Sequence, residues 1–166
     1  TGVSTPATLT AKVGTTITLA AVIAPTTATL KTVTWSSSDT TIATVSAAGV
    51  IKPLKVGTVE ITATTTDGGK TAKCNVTVIQ AVTGVKLSTT TATLKVGDPD
   101  LTLTATIAPT NASTQDILWT SSKPSVATIN SNGVVHAIVS GTAIITATSK
   151  QDSTKLAKCT VTVTIR

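Results

Sequence analysis

AKCNVTV at residues 72–78 returns as AKCTVTV at 157–163, and the correspondence runs through the whole chain. TGVS at 1–4 matches TGVK at 83–86, and VIAP at 22–25 matches TIAP at 106–109. VTWSSSDTTIATVSAAGVI, from Val33, faces ILWTSSKPSVATINSNGVV, from Ile117, and VGTVEITAT then faces SGTAIITAT. The offset drifts from 82 to 85 through short insertions such as GDPD at 97–100, a kind of change that belongs in loops. The 166 residues are therefore two copies of a unit of about 83, the size of a small domain. The expected division is 1–80 and 81–166. The joint, VIQAVTGV at 78–85, has no Gly/Ser or Pro-rich spacer, which predicts two units arranged end to end with little bending.

Within each unit the hydrophobic period is two. Ile17, Leu19, Ala21 and Ile23 alternate with Thr16, Thr18, Ala20 and Val22, and Val59, Ile61 and Ala63 alternate with Thr58, Glu60, Thr62 and Thr64. That is the pattern of half-buried antiparallel strands. Thr is roughly a quarter of the chain and aromatics only 1%, so a core must be built from Val, Ile, Leu and Ala around two Trp. Turn signals punctuate both copies: VGTT, APTTAT, SSSDT, SAAG, KVGT and TDGGK in the first, and VGDPD, APTNAS, SSKPS, NSNG, VSGT and KQDSTK in the second. About seven strands per unit predicts an all-β chain of two tandem β-sandwiches.

These residues resemble the bacterial immunoglobulin-like domains of group 2. The resemblance rests on the opening TGV, the VG turn before a strand ending in AP, Trp-Ser-Ser or Trp-Thr-Ser, ATV or ATI, a Gly turn, GT with ITAT, and a last strand with AKC.VTV. Both copies carry the whole run. The resemblance implies immunoglobulin-like sandwiches used as extracellular building blocks in bacterial surface adhesins, wall-associated proteins and bacteriophage virion proteins. One fold hosts many tasks, so the residues themselves must be searched for chemistry.

Cys74 shares a strand face with Val76 and Val78, opposite Lys73, Asn75 and Thr77; Cys159 repeats this with Val161, Val163 and Ile165. Both thiols are expected to point inward. In units stacked end to end, equivalent positions lie about one strand length, ~30 Å, apart, beyond the reach of a disulfide. Each unit has one Cys and the chain one His, His136, too few for a thiolate or imidazole metal centre. Buried apolar thiols are the expectation. Trp35 and Trp119 occupy the same repeat position, which favours two core plugs over two sugar-stacking platforms.

The inventory for catalysis is thin. His136 aligns with Lys52 and is expected on a solvent-facing strand position, and no Gly-x-Ser-x-Gly elbow accompanies it. Asp67 and Asp152 fall in the last hairpin turn, where Asp bonds its own backbone. Asp98 and Asp100 are the one close acidic pair, short of the six or more oxygens that calcium takes. Lys73 and Asn75 share an outward face, against a Lys–Asn isopeptide lock. No enzymatic activity, cofactor or metal is expected.

The net charge of +6 comes from bases scattered singly, as at Lys12, Lys31, Lys52 and Lys55, which suits solubility and weak attraction to anionic surface polymers. Without exposed aromatics this is no specific nucleic-acid surface. No apolar run reaches the ~18 residues of a membrane span and no signal segment opens the chain, so no membrane insertion and a soluble, already trimmed or excised piece are expected, with the resemblance implying an extracellular place for it. Neighbouring domains of a larger chain or assembly are the expected partners. Three functions remain: a spacer on a cell or virion surface, an adhesin module binding a glycan, wall polymer or receptor, and a subunit of a homotypic fibre. For the third, Ile144 is the candidate interface, because it stands where the first copy has the outward Glu60.

Overall fold

The alternation of Thr with Val, Ile and Ala is realised as strand in both repeats, and the described residues contain no helix. The computed structural model describes residues 2–165; Thr1, which opens the first TGV motif, and Arg166 lie outside the described residues. The chain divides into two compact units, Thr1–Gln80 and Ala81–Arg166.

In the first unit the strands are β1 (Gly2–Ser4), β2 (Thr8–Lys12), β3 (Ile17–Thr18), β4 (Val22–Ala24), β5 (Val33–Ser37), β6 (Ala43–Val45), β7 (Val50–Pro53), β8 (Gly57–Thr65) and β9 (Thr71–Ile79). In the second they are β10 (Gly84–Leu87), β11 (Thr91–Lys95), β12 (Leu101–Thr102), β13 (Ala105–Ala108), β14 (Ile117–Ser121), β15 (Ala127–Ile129), β16 (Val134–Ala137), β17 (Gly141–Ser149) and β18 (Leu156–Thr164). The first unit holds a four-stranded sheet in the order β2-β9-β8-β5, a three-stranded sheet β3-β7-β6 and a pair β1-β4. The second repeats each one as β11-β18-β17-β14, β12-β16-β15 and β10-β13. β2 and β11 run parallel to the last strand of their unit; the other pairings are antiparallel.

Nine strands per unit stand where about seven are expected: the opening segment and the expected strand 16–23 each divide and change partner. The opening strand pairs with β4 as β1, crosses at Thr5–Ala7, and pairs with β9 as β2. Pro6 sits in that crossing, where its missing N–H disturbs no ladder. The expected continuous strand 16–23 is interrupted at residues 19–21: β3 pairs with β7 and β4 with β1, while Leu19 donates its N–H to Gly49 O at 2.9 Å.

Each unit has its own core. Ile51, Val59, Ile61, Cys74, Val76 and Val78 are buried in the first, matched by Val135, Ala143, Ile145, Cys159, Val161 and Val163 in the second. Fully burying one such aliphatic side chain contributes ~1.5–3 kcal/mol. The outward positions of the long strands are mostly Thr, with Lys73 and Lys158, which gives β8, β9, β17 and β18 their alternating burial.

Candidate functional site

Cys74 and Cys159 are free and fully enclosed, opposite Ile61 and Ile145 in their ladders. Burial pushes both thiols up from the ordinary value of 9.0, so thiolate, the nucleophilic and metal-binding form, is suppressed.

Trp35 and Trp119 depart from the expected central plugs. Each packs against its unit's core yet is only partly buried. The reason is topological: β5 and β14 are the outermost strands of their sheets, so an inward side chain there reaches the margin of the core and not its middle. The centre is filled by aliphatics such as Ile51, Ile61 and Ile145. One edge of each indole is covered by a glycine. A Cβ on Gly49 would stand 2.5 Å from Leu19 O and 3.1 Å from Trp35 Cε2, and Gly49 has φ +76°. Gly133, at φ +80°, sits in the same relation to Leu103 O and Trp119.

Each indole also lines a groove. Beside Trp35 it has a volume of about 440 Å³, with Leu19, Ala20, Ala21, Ala47 and Ala48 among its walls. Beside Trp119 it is about 270 Å³ and opens elsewhere, toward Ser121, Pro124, Thr128 and Ile129. Sequence reasoning missed the first groove. The signal available was the repeat comparison, because SAAG in the first copy stands where the second has NSNG.

The serines after each Trp, conspicuous in the repeat motif, have a structural task. Ser37 Oγ donates to Ala43 O and Ser121 Oγ to Ala127 O, each at 2.7 Å, tying the edge of the four-stranded sheet to the edge of the three-stranded one. The next residue works within the four-stranded sheet, just past the ends of β5 and β14: Ser38 Oγ accepts from Glu60 N–H of β8 at 3.0 Å and Ser122 Oγ from Ile144 N–H of β17 at 2.8 Å.

The titratable side chains serve turns and surface pairs. His136 lies exposed on β16, with Nδ1 2.6 Å from Asp100 Oδ1. Asp98 faces a different task, its Oδ2 accepting from Lys95 N–H at 2.9 Å, so the acidic pair does not converge. Among the described residues, no three His, Cys, Asp or Glu side chains gather where a metal ion could be held. Asp39 Oδ1 accepts from the hydroxyl and N–H of Thr41, which hold its carboxyl below the usual range. Asp152 Oδ1 accepts in the same way from Thr154, at 2.6 Å from the hydroxyl and 3.0 Å from the N–H. Lys73 Nζ sits 2.9 Å from Glu60 Oε1 on the outer face of β8 and β9. At the equivalent place Ile144 is 39% exposed and cannot serve Lys158 as Glu60 serves Lys73.

Comparison with known proteins adds descent to this geometry. A family model described as bacterial Ig-like domain (group 2) matches residues 2–76 and again 81–161. An Ig-like virion protein of Serratia phage KSP90 is 42% identical over 163 residues, covering 95% of this chain and 62% of that one. An uncharacterised protein of Clostridium acetobutylicum is 41% identical over 148 residues, 89% of this chain and 15% of that protein. The chain thus spans less than two thirds of the length of either relative. Among solved structures, a C-terminal fragment of intimin, in complex with the intimin-binding domain of its translocated receptor, superposes with a TM-score of 0.50 at 17% identity. That superposition covers 90% of this chain and 59% of the fragment, and is a likeness of fold. With its family model matched twice in succession, the chain belongs to the bacterial Ig-like domains of group 2, as two tandem copies.

Proposed function

We propose that this chain is a non-catalytic structural module displayed on the outside of a bacterium or a phage particle, where it spaces or decorates a larger assembly. The observation that carries the reading is the 42% identity to an Ig-like virion protein over 95% of the chain. The architecture agrees with it. The conspicuous motif residues are spent on the fold: Ser37 and Ser121 tie sheets together, Cys74 and Cys159 fill cores, and Gly49 and Gly133 admit the indoles. Among the described residues the lysines are scattered singly and, apart from the half-buried Lys155, exposed, so contact with an anionic surface polymer is weak and falls as salt rises.

Surface display is tested by raising antibodies to residues 1–166 and labelling intact particles or cells of the source for electron microscopy. Gold on the outer surface is the expected result. Label that appears only after particles or cells are broken open overturns the reading.

A further inference from the structure

The walls of the groove beside Trp35 differ from the equivalent positions of the second repeat in a consistent direction. Ala20, Val33, Ala47 and Ala48 stand where the second unit has Thr104, Ile117, Ser131 and Asn132, each with more heavy atoms. At the remaining difference Thr32 replaces Asp116, so a carboxylate gives way to a neutral hydroxyl. The second unit holds the same fold with the larger and charged side chains, so the fold does not require the smaller ones. Around Trp35 they leave space and no charged residue in the lining.

Three further features limit what would fit there. The groove, about 440 Å³, is shallow and open to solvent, so it would engage one face of a small ligand and not enclose it. No charged side chain lines the groove, in a chain whose net charge is +6, so an anionic ligand would find no counter-charge in it. Ala20 and Ala21, which both line the groove, fall between β3 and β4 outside both ladders, so strand pairing does not engage their main-chain N–H and C=O groups. Two residues are too short an edge to add a peptide strand, whose affinity comes from a run of main-chain bonds. They do suit a few hydroxyls, and an indole suits the C–H face of a pyranose.

We propose that this groove is a subsite for a neutral saccharide ring, with Trp35 as stacking platform and the Ala20–Ala21 backbone as hydrogen-bonding wall. The inference goes beyond the structural role and stands or falls apart from it. The test is a two-dimensional ¹H–¹⁵N titration of the full chain with galactose, maltose, cellobiose and lactose, and separately with a neutral Leu-Val-Leu peptide blocked at both ends. Saturable shifts of the Trp35 Nε1–H signal and the Ala20, Ala21 and Ala48 amides are expected with at least one saccharide, while Trp119 Nε1–H stays in place. A triple variant, Ala20→Thr, Ala47→Ser and Ala48→Asn, carries side chains that the second unit already accommodates, and should weaken the interaction by about tenfold or more, over 1 kcal/mol. Four outcomes overturn the proposal: no shifts at tens of millimolar saccharide, equal shifts at Trp119, shifts the triple variant leaves unchanged, or shifts produced by the peptide alone.

Discussion

Gly49 carries more of the first unit's integrity than its size suggests, because three conditions meet on it. Its φ of +76° strains any L side chain, Leu19 O occupies the place of a Cβ, and the indole edge of Trp35 closes the remaining space. Gly49→Ala should therefore cost about 3 kcal/mol or more, combining backbone strain of ~1–3 kcal/mol with displacement of a packed ring. Gly14→Ala is the control: it has a similar φ, +79°, but nothing within 4 Å of the added Cβ, so only the strain remains. Urea unfolding of the two variants checks the difference; equal losses would mean that the contact with Trp35 is unimportant. The thiols offer a second test at this scale. Burial raises Cys74 and Cys159 above 9.0, whereas in the unfolded chain they ionise near that value. The native state then holds more protons than the unfolded one in alkaline solution, so the contribution is intact below 9.0 and is lost as pH rises through the folded values. Stability should fall above pH 9.0, and replacing both Cys with Ala should flatten that fall after allowing for the lost volume. Inward cysteines were legible in the sequence because alternation reports the face of a strand. The marginal place of the tryptophans was not, because alternation cannot say which strand ends a sheet.

At the scale of elements, the serines of the Trp motifs show how two sheets are kept in register where they have no strand in common. Ser37 satisfies the carbonyl of Ala43, a residue with no exposure, from the neighbouring sheet. Ser37→Ala leaves that acceptor without the hydroxyl and should cost about 1–2 kcal/mol. Ser121→Ala should cost the same in the second unit, because its bond to Ala127 O has the same length. Thermal unfolding of both variants measures this, and no loss in either would show that the bond merely accompanies the packing. The outer face of the long strands tests the opposite case, a pair whose removal matters little. Glu60 and Lys73 are 35% and 62% exposed, so screening holds their attraction to about 0.5 kcal/mol. Ile144→Glu rebuilds the same pair with Lys158 and should change stability by less than about 1 kcal/mol. If the exposed Ile144 instead joins copies of the chain into a fibre, the same variant will dissolve a self-association seen by light scattering in the parent. The breaks that divide two expected strands into β1–β2 and β3–β4 were partly legible, since Pro6 marks the first. The second has no such residue: Leu19 keeps the inward phase, and only the partner exchange between β7 and β1 ends the strand.

At the scale of the whole molecule, the repeat was the most legible feature, and it carries a strong thermodynamic implication. Each sheet is assembled from strands of one unit, and the two large clusters of buried aliphatics each belong to one unit. A chain of about 80 residues buries only ~60–65% of the surface it exposes when unfolded, which leaves a modest margin for independent folding. What favours it here is the density of the ladder, with strands of nine residues paired along almost their whole length in both units. Residues 1–80 and 81–166 expressed separately should each unfold in a single cooperative transition, and Gly49→Ala should lower the midpoint of the first piece only. Calorimetry on the two pieces and the intact chain decides the matter. If either piece lacks a transition, the repeat is a unit of ancestry and not a unit of folding, and stabilities assigned above to single units would have to be measured on the pair.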